Sequence, residues 1–231
     1  RPAEKVKPWK DYRPIFITDA RIARGVVFWQ QNAEALARAE KEYGVAAQVI
    51  VAIIGVETFY GGNTGNYRVI DALSTLGFDY PPRAEFFRKE LREFLLLARE
   101  EQVDPLTLKG SYAGAMGLPQ FMPSSFRAYA VDFDGDCRIN IWSNPTDAIG
   151  SVASYFKQHG WTAGGQVVSR AQVRGDQVDQ QLDLDIANRI ARQAAHMRAD
   201  AAKGQAEGLV FKARIGHRPD PFFARGGAGV E

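Results

Sequence analysis

Glu57 is the residue whose surroundings could do acid–base chemistry. It lies in Val45–Gly62, VAAQVIVAIIGVETFYGG, where positions 49–56 carry no polar side chain. A segment apolar on every side belongs inside a protein, since each buried apolar side chain contributes roughly 1.5–3 kcal/mol. Periodicity alone leaves a buried strand open; length and the Gly61-Gly62 pair favour a helix that ends there. Glu57 then falls in the last turn. Loss of water and the negative end of the helix dipole both disfavour its charge, which raises the pKa as a general acid near neutral pH requires. From this stretch alone, an ordinary surface glutamate just past a core helix is the commoner arrangement.

A second cluster is DFDGDCRIN, Asp132–Asn140. Asp132, Asp134 and Asp136 occupy positions 1, 3 and 5 of an EF-hand loop, the Arg138 carbonyl position 7 and Ile139 the apolar position 8. Three acids this close repel unless a cation lies between them, and hard oxygen ligands favour calcium. Two positions depart from the pattern. Cys137 stands where glycine adopts a positive φ freely, and Ser143 stands where a glutamate closes the loop. Asp147, in the first turn of the next helix, could close the site instead. A solvated acidic turn is the alternative. The calcium role expected is structural.

A lone glutamate of raised pKa suits protonation of a leaving oxygen. Glycosidases usually need a second carboxylate about 5–9.5 Å away. The obvious cleft segment, GSYAGAMGLPQFMPSS at Gly110–Ser125, holds no acid at all. One glutamate suffices if an internal sugar hydroxyl attacks the anomeric carbon, the same carboxyl acting as acid and then as base. No Ser-His-Asp or Cys-His set competes, because His159, His196 and His217 lie late and outside any motif.

The elements that must position these groups are mainly helical. Arg1–Phe16, with Pro2, Pro8 and Pro14, reads as an extended entry segment. Thr18 or Asp19 caps a helix to Tyr43 with Gly44 behind it, and Ile22, Val26, Trp29, Ala33, Leu36 and Ala37 form its inner face. Asp71–Leu76 reads as a short helix. Pro81-Pro82 open another to about Glu101, with Phe86, Phe87, Leu91, Phe94, Leu95 and Ala98 inside. Ser124 or Ser125 caps the short helix after the uncharged loop. Asn144-Pro145 start a helix that Gly160 closes. Val178–Lys203 is amphipathic, and from Gly204 a glycine- and arginine-rich tail has little to bury.

The 231 residues, 45% hydrophobic and 24% charged, suit one sizeable core or two small ones. A net charge of +2 is too weak to argue for nucleic acid. One cysteine excludes an internal disulfide, and no apolar run reaches the roughly 20 residues of a membrane span. The first residues, RPAEKVKPWKDYRP, hold no signal-peptide core and no lipid-attachment cysteine, and read as the interior of something longer.

IIGVETFYGGNTGNYRVIDALSTLGFDYPPRAEFF, GSYAGAMGLPQFMPSSFRAYAVDFDGDCRINIW and NPTDAIGSVASYFKQHGW together resemble the membrane-bound lytic transglycosylase B family, lysozyme-like enzymes of bacterial cell-wall turnover. The resemblance implies a lysozyme-like α-helical catalytic domain over 1–168 with an EF-hand-like calcium loop, and an atypical region over 169–231. It implies cleavage of the β-1,4 bond between N-acetylmuramic acid and N-acetylglucosamine, leaving a 1,6-anhydro product. Carried over, Glu57 is the acid/base. Ser111 and Gln120 contact the glycan, Tyr155 lines the cleft, and Tyr12 and Arg83 lie near the saccharide or its peptide stem. Asp132, Asp134, Asp136, the Arg138 carbonyl and Asp147 hold calcium. The implied partner is peptidoglycan glycan strands, the implied place the periplasm, at the outer membrane in a longer precursor, and the implied state a monomer. Arg170–Glu231 lacks the tyrosine- and asparagine-containing segment with which the family returns to the cleft. Rival expectations are hydrolysis by the same glutamate, and a glycan-binding module without activity.

Overall fold

A computed structural model describes residues 9–165 and 167. The fold is mainly α. Among the described residues, eight α-helices run α1 Trp9–Phe16, α2 Asp19–Gln31, α3 Ala33–Tyr43, α4 Ala47–Thr58, α5 Val69–Phe78, α6 Ala84–Glu100, α7 Pro123–Tyr129 and α8 Pro145–Gln158. A two-stranded antiparallel ribbon pairs β1 (Tyr67–Arg68) with β2 (Lys109–Gly110), Tyr67 facing Gly110. None of the described helices is long and apolar enough to cross a membrane.

Two hydrophobic clusters form the interior among the described residues. The first joins α2, α3, α4 and α8 through Phe28, Leu36, Ile50, Ile54, Ile149 and Val152. The second joins α5, α6 and α7 through Leu73, Phe87, Phe94 and Phe126. The uncharged loop straddles them. Leu118 belongs to the first cluster, Met116 and Phe121 to the second.

Several elements differ from the sequence reading. Trp9–Phe16 is helical, not extended. Pro14 removes one donor from a helix of two turns, and the Arg21 guanidinium donates to the Phe16 and Ile15 carbonyls at 2.6 and 3.2 Å, satisfying its C-terminal end. The single helix read to Tyr43 is two. The backbone breaks at Asn32, whose Nδ2 donates to the Phe28 carbonyl at 2.8 Å in competition with the helical ladder. Thr18 caps α2 as read, its Oγ1 accepting from Arg21 N, and Gly44 ends α3 in the left-handed region.

The inner face of α2 is not Ile22, Val26 and Trp29, which are exposed. Gly25 and Phe28 face inward instead, because Tyr60 packs into the notch that Gly25 leaves. On α6, Leu95 is exposed and Leu97 buried, so the stripe is displaced from the one read. Neither serine caps α7. Its N-terminal backbone is served from outside by Glu90, which accepts from Ser124 N at 2.9 Å and Ser124 Oγ at 2.7 Å. Asn144 caps α8 as expected, accepting from Thr146 N at 3.0 Å, and Gly160 follows with φ 82°. The amphipathic stretch 178–203, the tail behind it and the boundary at 168 lie outside the described residues.

Candidate active site

Glu57 is the penultimate residue of α4 and 8% exposed. The helix ends not at the glycine pair but at Phe59 and Tyr60, both left-handed (φ 53° and 58°). Phe59 N donates to the Gly55 carbonyl at 3.1 Å and Tyr60 N to the Ile54 carbonyl at 3.3 Å, a terminus of the kind glycine normally hosts. A side chain in that region costs roughly 1–2 kcal/mol. Three sets of contacts offset it. The Tyr60 hydroxyl fits between Gly25 and Gly55. The Phe59 ring lies under the Arg21 and Arg24 guanidinium groups, at 5.3 and 4.9 Å. Thr58 is buried, with its Oγ1 accepting from Gly61 N at 3.1 Å and lying 3.0 Å from the Leu118 carbonyl.

That last contact joins α4 to the uncharged loop. Gln120 makes a second tie, its Nε2 donating to the Thr64 carbonyl at 3.2 Å and the Gly117 carbonyl at 3.0 Å. Gln120 also holds a positive φ of 53°. Both amide protons thus go to the backbone, leaving Oε1 as its remaining polar atom. Ser111 Oγ accepts from Ala115 N at 3.0 Å and Ala113 N at 3.3 Å, which curls the loop and leaves its own O–H to donate. Gly65 lies against Gly110 so closely that a Cβ would stand 2.1 Å from the Gly110 oxygen. The segment after Glu57 is therefore seated directly on the loop that carries Ser111 and Gln120.

The other predicted residues sit as follows. Tyr155 is buried in the second cluster, stacked on His159 at 4.0 Å and edge-on to Tyr129 at 5.1 Å. Tyr12 is on α1, 5.0 Å from the Phe16 ring. Arg83 lies over Phe86 and Phe87 at 4.6 and 5.4 Å.

In the acidic loop, oxygens of Asp132, Asp134 and Asp147 lie within 4.8 Å of one another. Asp132 accepts from the backbone N–H groups of Gly135 (2.7 Å), Cys137 (2.8 Å) and Asp136 (3.1 Å). Partial burial pushes its pKa up, but these bonds outweigh burial and hold it below the usual carboxylate range. Asp147 is fully buried and accepts from Phe133 N and Asn140 N, both at 2.8 Å, so it ties the two ends of the loop together. Burial, with the Asp134 charge beside it, pushes Asp147 up despite those bonds. Asp136 turns to Arg138 N at 2.8 Å. Three hard carboxylates converging, one of them buried, fit a calcium ion.

Thr58 and Tyr60 at the site, and Glu90 at the N-terminus of α7, escaped the sequence reading. Thr58 had adjacency to Glu57 as its only signal. Tyr60 had the unexplained helical glycines Gly25 and Gly55. Glu90 had none, since it sits in a helix otherwise rich in surface charge.

The transglycosylase SLT domain family matches residues 1–217. The chain belongs to this family. The match runs past Val168, where the recognisable motifs end. Among curated proteins this chain is 57% identical over 177 residues to the membrane-bound lytic murein transglycosylase B of Escherichia coli, covering 74% of this chain and 49% of that protein. Among solved structures, the soluble lytic transglycosylase SltB1 of Pseudomonas aeruginosa is 80% identical, with a TM-score of 0.74 over 76% of this chain and 59% of that one. The E. coli lytic transglycosylase Slt35 in complex with calcium is 60% identical, with a TM-score of 0.67 over 69% and 51%. The chain thus spans about half the length of the curated relative it matches. Its helical fold is the lysozyme-like one of these transglycosylases.

Proposed function

We propose that residues 1–168 form the catalytic region of a peptidoglycan lytic transglycosylase that cleaves the β-1,4 bond between N-acetylmuramic acid and N-acetylglucosamine. The observation that carries this is Glu57, nearly buried at the end of an apolar helix whose next residue, Thr58, bonds to a loop that holds no carboxylate. Its protonated carboxyl gives a proton to the glycosidic oxygen as the C1–O bond breaks. The carboxylate left behind takes the proton of the muramyl 6-hydroxyl as that oxygen bonds to C1. The products are a free 4-hydroxyl and a 1,6-anhydromuramyl end; no water is consumed, and Glu57 regains its proton. Burial and the negative end of α4 both keep the acid form available. The Ser111 hydroxyl and Gln120 Oε1 contact the glycan, Tyr155 supports the cleft wall, and Tyr12 and Arg83 lie near the saccharide or peptide stem.

Asp132, Asp134, Asp136, the Arg138 carbonyl and Asp147 would hold calcium, which would brace the loop and take no part in bond cleavage. The proposed setting is the periplasm, as a monomer, in keeping with a membrane-bound murein transglycosylase as relative. Residues 169–231 are proposed as a separate, atypical C-terminal region.

The test is mass spectrometry of muropeptides released from purified sacculi. Anhydro ends with the native chain, and none with Glu57→Gln, are expected. Reducing ends alone would replace the reading with hydrolysis; binding without release by either protein would replace it with a glycan-binding module.

A further inference from the structure

We infer that Thr58 is the positioning residue that fixes Glu57 against the Gly110–Ser125 loop, an inference that rests on the acid role proposed for Glu57. Thr58 is 1% exposed, and its hydroxyl has one proton with two acceptors in reach, the Leu118 carbonyl at 3.0 Å and the Ile54 carbonyl at 3.2 Å. Ile54 already receives the Tyr60 N–H, so the shorter bond across the chain to Leu118 is the one that needs the proton. Its oxygen meanwhile accepts the Gly61 N–H at 3.1 Å. One hydroxyl therefore touches α4, the left-handed turn behind it and the loop sixty positions on.

The consequence falls on the neighbouring side chain. Glu57 projects from a helix end whose next two residues are held in the left-handed region. Without a tether, that end could relax towards ordinary backbone angles and carry Glu57 with it. A threonine suits the tether because its β-branch restricts χ1, so the hydroxyl is aimed rather than searching. The Gln120–Thr64 bond fastens the same two segments farther from Glu57 and cannot set the helix end by itself. A displacement of about 1 Å at a reacting group costs on the order of a hundredfold in rate.

The experiment compares Thr58→Val, which keeps the shape and loses the hydroxyl, with Thr58→Ser, which keeps the hydroxyl. On sacculi, Thr58→Val is expected to lower kcat about ten- to a hundredfold with KM little changed, and Thr58→Ser to restore most of it. Amide hydrogen exchange, read on the same proteins whether or not they turn over, is expected to quicken in both 59–63 and 117–121 for Thr58→Val only. Wild-type kcat in Thr58→Val, or quickened exchange confined to 59–63, overturns the assignment. Glu57→Gln run in parallel separates the two ideas. If it is inactive while Thr58→Val is fully active, only the Thr58 role fails. If it is as active as the native chain, the acid role fails.

Discussion

The Tyr60 hydroxyl occupies the space a Cβ on Gly55 would need; the two atoms would stand 2.5 Å apart. A Cβ on Gly25, across on α2, would meet the same oxygen at 2.4 Å. Tyr60 is thus a wedge between two helices that are notched for it, and burial pushes its phenol pKa up. Because Tyr60 lies three residues beyond Glu57, the wedge also sets the turn that ends α4.

Gly55→Ala and Gly25→Ala should therefore each destabilise the protein by about 1–3 kcal/mol, the usual cost of forcing an added methyl into packed space. Urea unfolding measures it. Tyr60→Leu combined with Gly55→Ala should recover part of the loss, because the clashing ring edge is gone. If Gly55→Ala unfolds at the same midpoint as the parent, the wedge is not rigid.

How far the sequence disclosed this arrangement depended on the kind of signal. Apolar runs and helix stops survive tertiary context, so α4, α5, α8 and the caps at Thr18, Gly44 and Asn144 were readable. Which face turns inward did not follow from periodicity on α2, because Gly25, an apparently poor core residue, is inward so that Tyr60 can enter. The C-terminus of α4 was misplaced onto Gly61-Gly62 because the left-handed positions belong to Phe59 and Tyr60, held there by partners on α2 and on the 110–125 loop. Glu57, the uncharged loop and the acidic loop stand out in the sequence as candidates for chemistry; Thr58 and Gln120 as ties do not, since each acts on a segment more than fifty residues away.

Glu90 is a buried carboxylate that serves α7 rather than any reaction, taking both Ser124 N and Ser124 Oγ. Glu90→Leu leaves that backbone N–H without its acceptor in the interior, a loss of roughly 1–3 kcal/mol. Glu90→Gln keeps one acceptor oxygen and should lose less. Thermal unfolding of both variants gives the order; equal melting temperatures would show that solvent replaces the carboxylate.

Cys137 holds a φ of 68° in the acidic loop, where glycine would adopt the same angle without steric cost. Cys137→Gly is expected to stabilise the chain by about 1 kcal/mol. It should also tighten calcium binding if the loop is the ion's site. Millimolar calcium should raise the melting temperature of both proteins by mass action, and a chelator should reverse it. Asp147→Asn, which removes the buried charge while keeping the shape, should abolish the calcium response. A melting temperature indifferent to calcium in all three proteins would leave the loop a self-bonded acidic turn.

Arg127 links α7 to α6 by donating to Glu100 at 2.7 and 2.8 Å and to Glu93. The hydrogen bonds from Arg127 hold the Glu100 carboxyl below its ordinary value of 4.5. A carboxylate whose folded pKa is depressed adds stability above its unfolded pKa and loses it as pH falls through the folded value. The contribution is therefore present at pH 7 and disappears below about pH 4.5, and it is small because Glu100 is exposed to solvent. Arg127→Ala should lower the melting temperature slightly at pH 7 and narrow the drop between pH 5 and pH 3, and added salt should shrink the difference between the two proteins. Parallel melting curves for both proteins across that window would show that the tie is screened away already at neutral pH.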